Sequence, residues 1–219
     1  KQERRINFKS GMLQDVGKQS KCPECGSNSY GKHHRGKYGG THTYCTNCAY
    51  GVINVLRQAK SEYQSLELVH RLDKDTSGCL LIAKSRSMLT YLHNAIRKNE
   101  IDKEYICLVK GHCDFSFKKV DLPLQKNVLS SGERLVRVDS AGKDAMTEFT
   151  VTQQFSLVTL LKARLITGRT HQIRVHLQYL GHPIAADSKY GDKQFNKHIQ
   201  TVGLKRMFLH ASQLKFRLP

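Results

Sequence analysis

From about residue 51 onward the sequence predicts an α+β fold, preceded by a small cysteine-rich unit over residues 1–50. Three observations lead there. Several short runs rich in β-branched residues are separated by turn formers, which is the pattern of a mixed sheet. A few segments instead carry apolar residues at helical spacing. Four of the seven cysteines fall between Cys22 and Cys48, in a stretch rich in Gly, Lys, Asn, Ser and His and poor in aliphatic side chains.

GVINVLRQA (51–59) reads as a helix, with Val52, Ile53, Val55 and Leu56 available for a buried face. CLLIA (79–83) reads as a short buried strand. In SRSMLTYLHNAIRKN, Leu89, Leu92 and Ile96 keep helical spacing, and Arg97 and Lys98 sit where a helix C-terminus favours cations. KEYICLVKG (103–111) is a strand closed by Gly111. RLVRV, MTEFTV and SLVTLLKARLI follow as strands. THQIRVHLQYLGHP is a helix with Thr170 as N-cap, a stripe of Ile173, Leu177 and Leu180, a stop at Gly181 and Pro183 beyond it. FLHASQLKF is a last strand. Mixed strands with few helices make an α+β domain.

The charge points to a partner. The 219 residues carry 36 Lys and Arg against 18 Asp and Glu, a formal net charge of +18. The excess is spread out, with 9 basic and 3 acidic residues before residue 51. Such an excess favours a polyanion, because phosphate contacts release condensed counterions. Nucleic acid is the first reading; an anionic membrane surface or simple solubility are the others. No apolar run approaches the roughly 20 residues of a membrane span, and the first residues lack the apolar core of a secretory signal.

Cys22-Pro-Glu-Cys25 and Cys45-Thr-Asn-Cys48 are two C-x2-C pairs. Each pair offers two thiolates from one turn, and together they complete a closed tetrahedral site of the structural zinc kind. A unit this polar lacks a core, so the metal supplies its folding energy. His33, His34 and His42 are then spare. Tyr30, Tyr38 and Tyr44 interleave with Lys32, Arg35 and Lys37, a pattern suited to single-stranded nucleic acid and equally to a solvated loop. Cys79, Cys107 and Cys113 are isolated. Cys79 and Cys107 lie in apolar runs where a free thiol is a small hydrophobe, which favours a reducing, cytoplasmic setting over a disulfide framework.

HRLDKDTSG (70–78) is a polar loop with a carboxylate among cations, running into CLLIA; taken alone it reads first as an ordinary surface turn and only second as a site. With KEYICLVKG, GRTHQIRVHLQYLGHPIAADSKYG and FLHASQLKF, in this order over residues 51–219, it strongly resembles the RluA family of pseudouridine synthases. ELVHRLDKDTSG, LQKNVLSSGERLVRV and AADSKYGDKQF resemble the branch that acts on large-subunit ribosomal RNA.

The resemblance implies a mixed, largely antiparallel sheet with flanking helices. It implies isomerisation of chosen uridines in 23S ribosomal RNA by a monomer, with no cofactor for catalysis and no membrane. The uracil is detached from its ribose, turned and rejoined through carbon, on a nucleotide flipped out of the RNA. It makes Asp73 the essential aspartate, Arg174 its partner and Tyr105 the aromatic that stacks on the uracil. Arg71 fills the gap left by the flipped nucleotide, while Arg169, His171 and His176 contact phosphates or support the site. The family's opening strand with its N-K-P-x-G motif, its S4-type module and its closing strand have no counterpart in these residues. That leaves a second expectation, a zinc-stabilised RNA-binding protein without catalysis. His171 and His176 are five apart and no HExxH occurs, so a metallohydrolase is not expected. Asp75 and Asp187 sit in turn-like contexts and read as structural or solvated.

Overall fold

The computed structural model describes residues 52–73, 75–128 and 134–219, and the backbone of two strands ahead of them, β1 (Tyr30–His34) and β2 (Thr41–Cys45). β1 and β2 form an antiparallel pair with Tyr30 opposite Cys45. Cys22, Cys25 and Cys48 lie outside the described residues. The chain divides into two compact units, with Val52–Ser65 in one and Leu66 onward in the other.

In the first unit, α1 (Val52–Ala59) forms where helical spacing predicts it. Its expected apolar face is only partly covered: Ile53 and Leu56 are half-buried, whereas Val52 and Val55 are exposed.

The second unit is built on alternation. In β6 (Asp102–Lys110), Tyr105, Cys107 and Val109 point inward and the residues between them are only half-covered. The same pattern recurs in β10 (Met146–Gln154) and β11 (Val158–Leu165), and Leu209 and Ala211 face inward from β12 (Leu209–Lys215). With β4 (Ser77–Gly78) and β7 (Phe117–Asp121) these strands make one sheet in the order β4-β12-β6-β11-β10-β7. β4 pairs with β12 in parallel; the other pairings are antiparallel. This is the mixed, largely antiparallel sheet of the α+β expectation.

Helix α3 (Gln172–Tyr179) lays Ile173 and Leu177 on the Tyr105, Cys107, Phe149 and Leu161 face. Helix α2 (Arg86–Arg97), capped by Ser85 accepting from the Met88 N–H, closes a second core through Leu89, Leu92 and Ala95 against Val69, Ala83 and Ile101. A hairpin of β8 (Leu124–Val128) and β9 (Arg134–Val138) packs Leu124 and Val136 on Val175 and Tyr190. Helix α4 (Lys193–Thr201) is capped by Asp192.

Three local expectations are corrected. CLLIA is not one strand. The chain leaves β12 after Gly78, and Ile82–Ala83 form β5, paired instead with β3 (Glu67–Leu68). The chain turns at Gly78, whose φ is +116° and where a Cβ would lie 2.2 Å from the Ala211 carbonyl oxygen, so only glycine fits. Cys79, just beyond, is therefore exposed rather than buried. Lastly, the helix at 170 is capped not by Thr170 but by His171 in the left-handed region, with φ 55°. The Gln172 amide does the fastening there. Its oxygen accepts from the Thr167 hydroxyl and the Arg169 N–H, and its nitrogen donates to the Met146 carbonyl and the Thr147 hydroxyl.

Candidate active site

A cleft of about 490 Å³ opens in the second unit, lined by the 69–76 loop, α2, β6 and the start of α3. Asp73 sits on that loop. A tight turn, with the Thr76 N–H donating to the Asp73 carbonyl, shapes its end, and the His70 imidazole accepts the Leu81 N–H to hold its base. Burial lowers the His70 pKa despite a hydrogen bond within the loop, which keeps its ring neutral and able to accept.

Arg174, 101 positions later on α3, brings Nη1 to 3.5 Å from Asp73 Oδ2. Its side chain is 6% exposed against 21% for Asp73, so the cation is the buried member of the pair. Tyr105 faces the same cleft from the centre of β6. Burial, assisted by the Asp73 charge, pushes its phenol up to about 12, so the hydroxyl stays protonated at neutral pH. His171 also lines the cleft, with Nε2 3.9 Å from Asp73 Oδ1. Burial outweighs the carboxylate and lowers its pKa, so its ring is neutral at pH 7. Arg71 is exposed on the cleft wall. Arg169 lines it too, with Nε donating to the Asp144 carbonyl.

A sequence profile described as RNA pseudouridylate synthase matches residues 43–179, well over half of the chain. The chain belongs to this family. A protein from Pasteurella multocida named ribosomal large subunit pseudouridine synthase C is 52% identical over 171 residues, covering 78% of this chain and 52% of its own length. Its namesake from Escherichia coli K12 is 50% identical over 173 residues, covering 78% and 54%. The chain thus spans about half the length of the curated relatives it matches. The human protein RNA Pseudouridylate Synthase Domain Containing 1 shares the fold at a TM-score of 0.64 and 24% identity, over 74% of this chain and 68% of that one.

Among the residues expected at the site, the fold gathers Asp73, Tyr105, Arg174, Arg71, Arg169 and His171 at one cleft. His176 is not there. It is fully buried, with Nδ1 against the Thr147 hydroxyl and Nε2 against the Leu122 carbonyl, so its expected RNA contact is replaced by a packing role between β10 and the β7–β8 link. The helical stripe missed this because α3 is covered on its polar side as well.

Asp187 was read as structural or solvated, and it is wholly buried. Arg174 Nε and Nη2 donate to its two oxygens at 2.7 and 2.8 Å. Burial raises its pKa, but the Arg174 hydrogen bond and the Tyr190 and Lys189 N–H groups outweigh that and hold the carboxyl below its usual range. Tyr190, which no sequence pattern singled out, places its ring 4.9 Å from the Arg174 guanidinium carbon and its hydroxyl 2.8 Å from His171 Nδ1. Lys103 is a further cleft residue; burial lowers its pKa.

Proposed function

We propose that this chain isomerises uridine to pseudouridine in large-subunit ribosomal RNA, with Asp73 as the reacting carboxylate. The observation that carries the reading is Asp73 at the cleft, 3.5 Å from the buried Arg174 and sharing that cleft with Tyr105, in a chain matched to the family over these positions. The names of the relatives and the +18 charge support ribosomal RNA as the substrate.

A paired uridine cannot reach Asp73, so the nucleotide is flipped into the cleft. The bond between uracil N1 and ribose C1′ breaks, the base turns, and C5 bonds to C1′; the C5 proton leaves and N1 gains one. Asp73 acts on ribose or base as nucleophile or proton acceptor, and Arg174 keeps it anionic while positive charge develops at C1′. Tyr105 offers a ring for stacking and a neutral hydroxyl, since its phenol titrates near 12. Arg71, exposed at the wall, suits the gap left in the RNA stack. These steps use side chains alone, and the reaction calls for no cofactor.

The expected division is a catalytic unit over residues 51–219 and a separate unit over 1–50; residues 52–65 group with the first compact unit, so the catalytic unit is drawn from residue 66. Within residues 1–50, Cys22, Cys25, Cys45 and Cys48 would hold a structural zinc; the antiparallel β1–β2 pair, whose second strand ends on Cys45, fits a two-knuckle arrangement. A monomer in the reducing cytoplasm fits the unpaired Cys79, Cys107 and Cys113. Among the described residues no helix is long and apolar enough to cross a membrane.

The test is Asp73→Asn. Tritium release from 5-tritiated uridine in ribosomal RNA, with mapping of the product, should vanish in the variant while RNA binding persists. Modification at the wild-type rate would sink the assignment. Tight RNA binding by a wild-type protein that releases no tritium would favour the non-catalytic reading.

A further inference from the structure

The two oxygens of Asp73 are approached by different donors, Oδ2 by Arg174 at 3.5 Å and Oδ1 by His171 at 3.9 Å. Both gaps exceed the roughly 2.7–3.2 Å of a made hydrogen bond. The carboxylate is therefore oriented by its neighbours without having its lone pairs consumed by them.

Both donors trace back to one turn. Asp187 holds Nε and Nη2 of Arg174, which leaves Nη1 as the nitrogen turned to Asp73. Asp187 is itself fixed, because its Oδ1 accepts the Lys189 and Tyr190 N–H groups. Asn196 on α4 clasps the turn from outside, accepting the Ala186 N–H and donating to the Asp187 carbonyl, each at 2.8 Å. Ala186 takes a positive φ of 59° at this point, a strained backbone conformation that these contacts sustain.

Tyr190, three residues on, serves the other donor. Its oxygen accepts the Val136 N–H at 3.0 Å and lies 2.8 Å from His171 Nδ1. With its acceptor side engaged, the hydroxyl hydrogen is free to donate to Nδ1. A neutral His171 then carries its proton on Nε2, the nitrogen that faces Asp73. The charged groups around that ring are Asp73, Arg174, Lys189 and Asp187.

We propose that Asp187 and Tyr190 are positioning residues of the isomerisation: Asp187 aims Arg174, and Tyr190 selects the Nε2–H tautomer of His171, so that one turn orients both oxygens of Asp73. This rests on Asp73 being the reacting carboxylate. Neither residue reaches Asp73 in the contacts described; each acts through the side chain it holds.

The informative variant is Tyr190→Phe, which keeps the ring over Arg174 and deletes only the hydroxyl. Two readouts are taken on the full chain at neutral pH: imidazole ¹⁵N shifts of His171, and single-turnover pseudouridine formation on ribosomal RNA. The wild type should show the Nε2–H tautomer. The variant should show a mixture of tautomers, with the single-turnover rate down about 10- to 100-fold, the range a misplacement on the order of 1 Å produces. RNA affinity should change by less than about 3-fold, since no group facing the substrate is removed. Asp187→Asn should lower the rate similarly, and Asp187→Glu should restore part of it. A Tyr190→Phe protein with wild-type tautomer and rate would overturn the proposal, as would a loss confined to RNA affinity. A wild type that makes no pseudouridine, yet whose His171 changes tautomer in the variant, would refute the reaction while upholding the Tyr190–His171 coupling.

Discussion

Replacing Arg174 by Met should destabilise the second unit in a way that grows with pH. Asp187 would lose two charge-assisted hydrogen bonds, of 2.7 and 2.8 Å, and keep only the Lys189 and Tyr190 N–H groups. Its side chain is 0% exposed, so water cannot replace the guanidinium. Breaking a buried pair from one side costs about 3–5 kcal/mol. The pH dependence follows from the carboxyl. In the wild type its folded pKa is depressed, so the stability it contributes is present above the unfolded value near 3.9 and is lost as pH falls through the folded value. Without Arg174, burial dominates and the folded pKa rises above about 3.9. The variant then binds more protons folded than unfolded, and its stability falls as pH rises. Urea unfolding followed by circular dichroism from pH 4 to 8 should show a wild-type advantage that is small at the acid end and reaches about 3–5 kcal/mol at neutrality. The double variant Arg174→Met/Asp187→Leu should recover much of the loss and flatten its pH dependence. A pH-independent deficit, or a neutral-pH deficit below about 1 kcal/mol, the range of an exposed ion pair, would refute the reasoning.

Tyr105→Phe should bind RNA about as tightly as wild type, while Tyr105→Ala should lose on the order of 1–3 kcal/mol of stacking, read by fluorescence titration. Equal losses in both would place the hydroxyl, not the ring, in substrate binding. Because the phenol titrates near 12, wild-type activity should show no limb from this group between pH 6 and about 10. Gly78→Ala adds a Cβ 2.2 Å from the Ala211 carbonyl at φ +116°, and should cost about 1–3 kcal/mol. For a chain of this size that is a fall in melting temperature of about 2–4 °C per kcal/mol, visible by calorimetry. Metal analysis of the purified protein should find one zinc per chain, lost in Cys22→Ser and Cys48→Ser; a protein without zinc would remove the four-cysteine site.

What the sequence made legible follows from how each element earns its burial. β6, β10 and β11 alternate because only one side of each meets α3 and the core, and α2 shows a clean stripe for the same reason. Elements without that asymmetry went unread. β7 is FKKVD with only Val120 buried, and α4 is KQFNKHIQT with only Ile199 buried. CLLIA misled in the opposite direction. Its apolar run reads as one strand, but the backbone turns at Gly78, with φ +116°, and Ile82–Ala83 pair with a different strand, which side-chain polarity does not register.

The site divides along a similar line. Asp73, Tyr105 and Arg174 were found through motifs, each a local string, and the fold brings them together from a loop, a strand and a helix. Asp187 and Tyr190 were not, because their significance lies in what they touch across the fold. Asp187 sits in Asp-Ser-Lys-Tyr-Gly, a string that reads as a structural or a solvated turn. The fold selects the structural alternative. What decides between them is Arg174 on a helix buried on its polar side, where a guanidinium without a carboxylate would be untenable. The buried polar face of α3 is thus the cause: Gln172, Arg174 and His176 each need partners brought from elsewhere, and each finds them in Thr147, Asp187 and Leu122. A helix that buries charge must recruit distant loops. Those loops, rather than the helix's own apolar stripe, set where its one cleft-facing cation points.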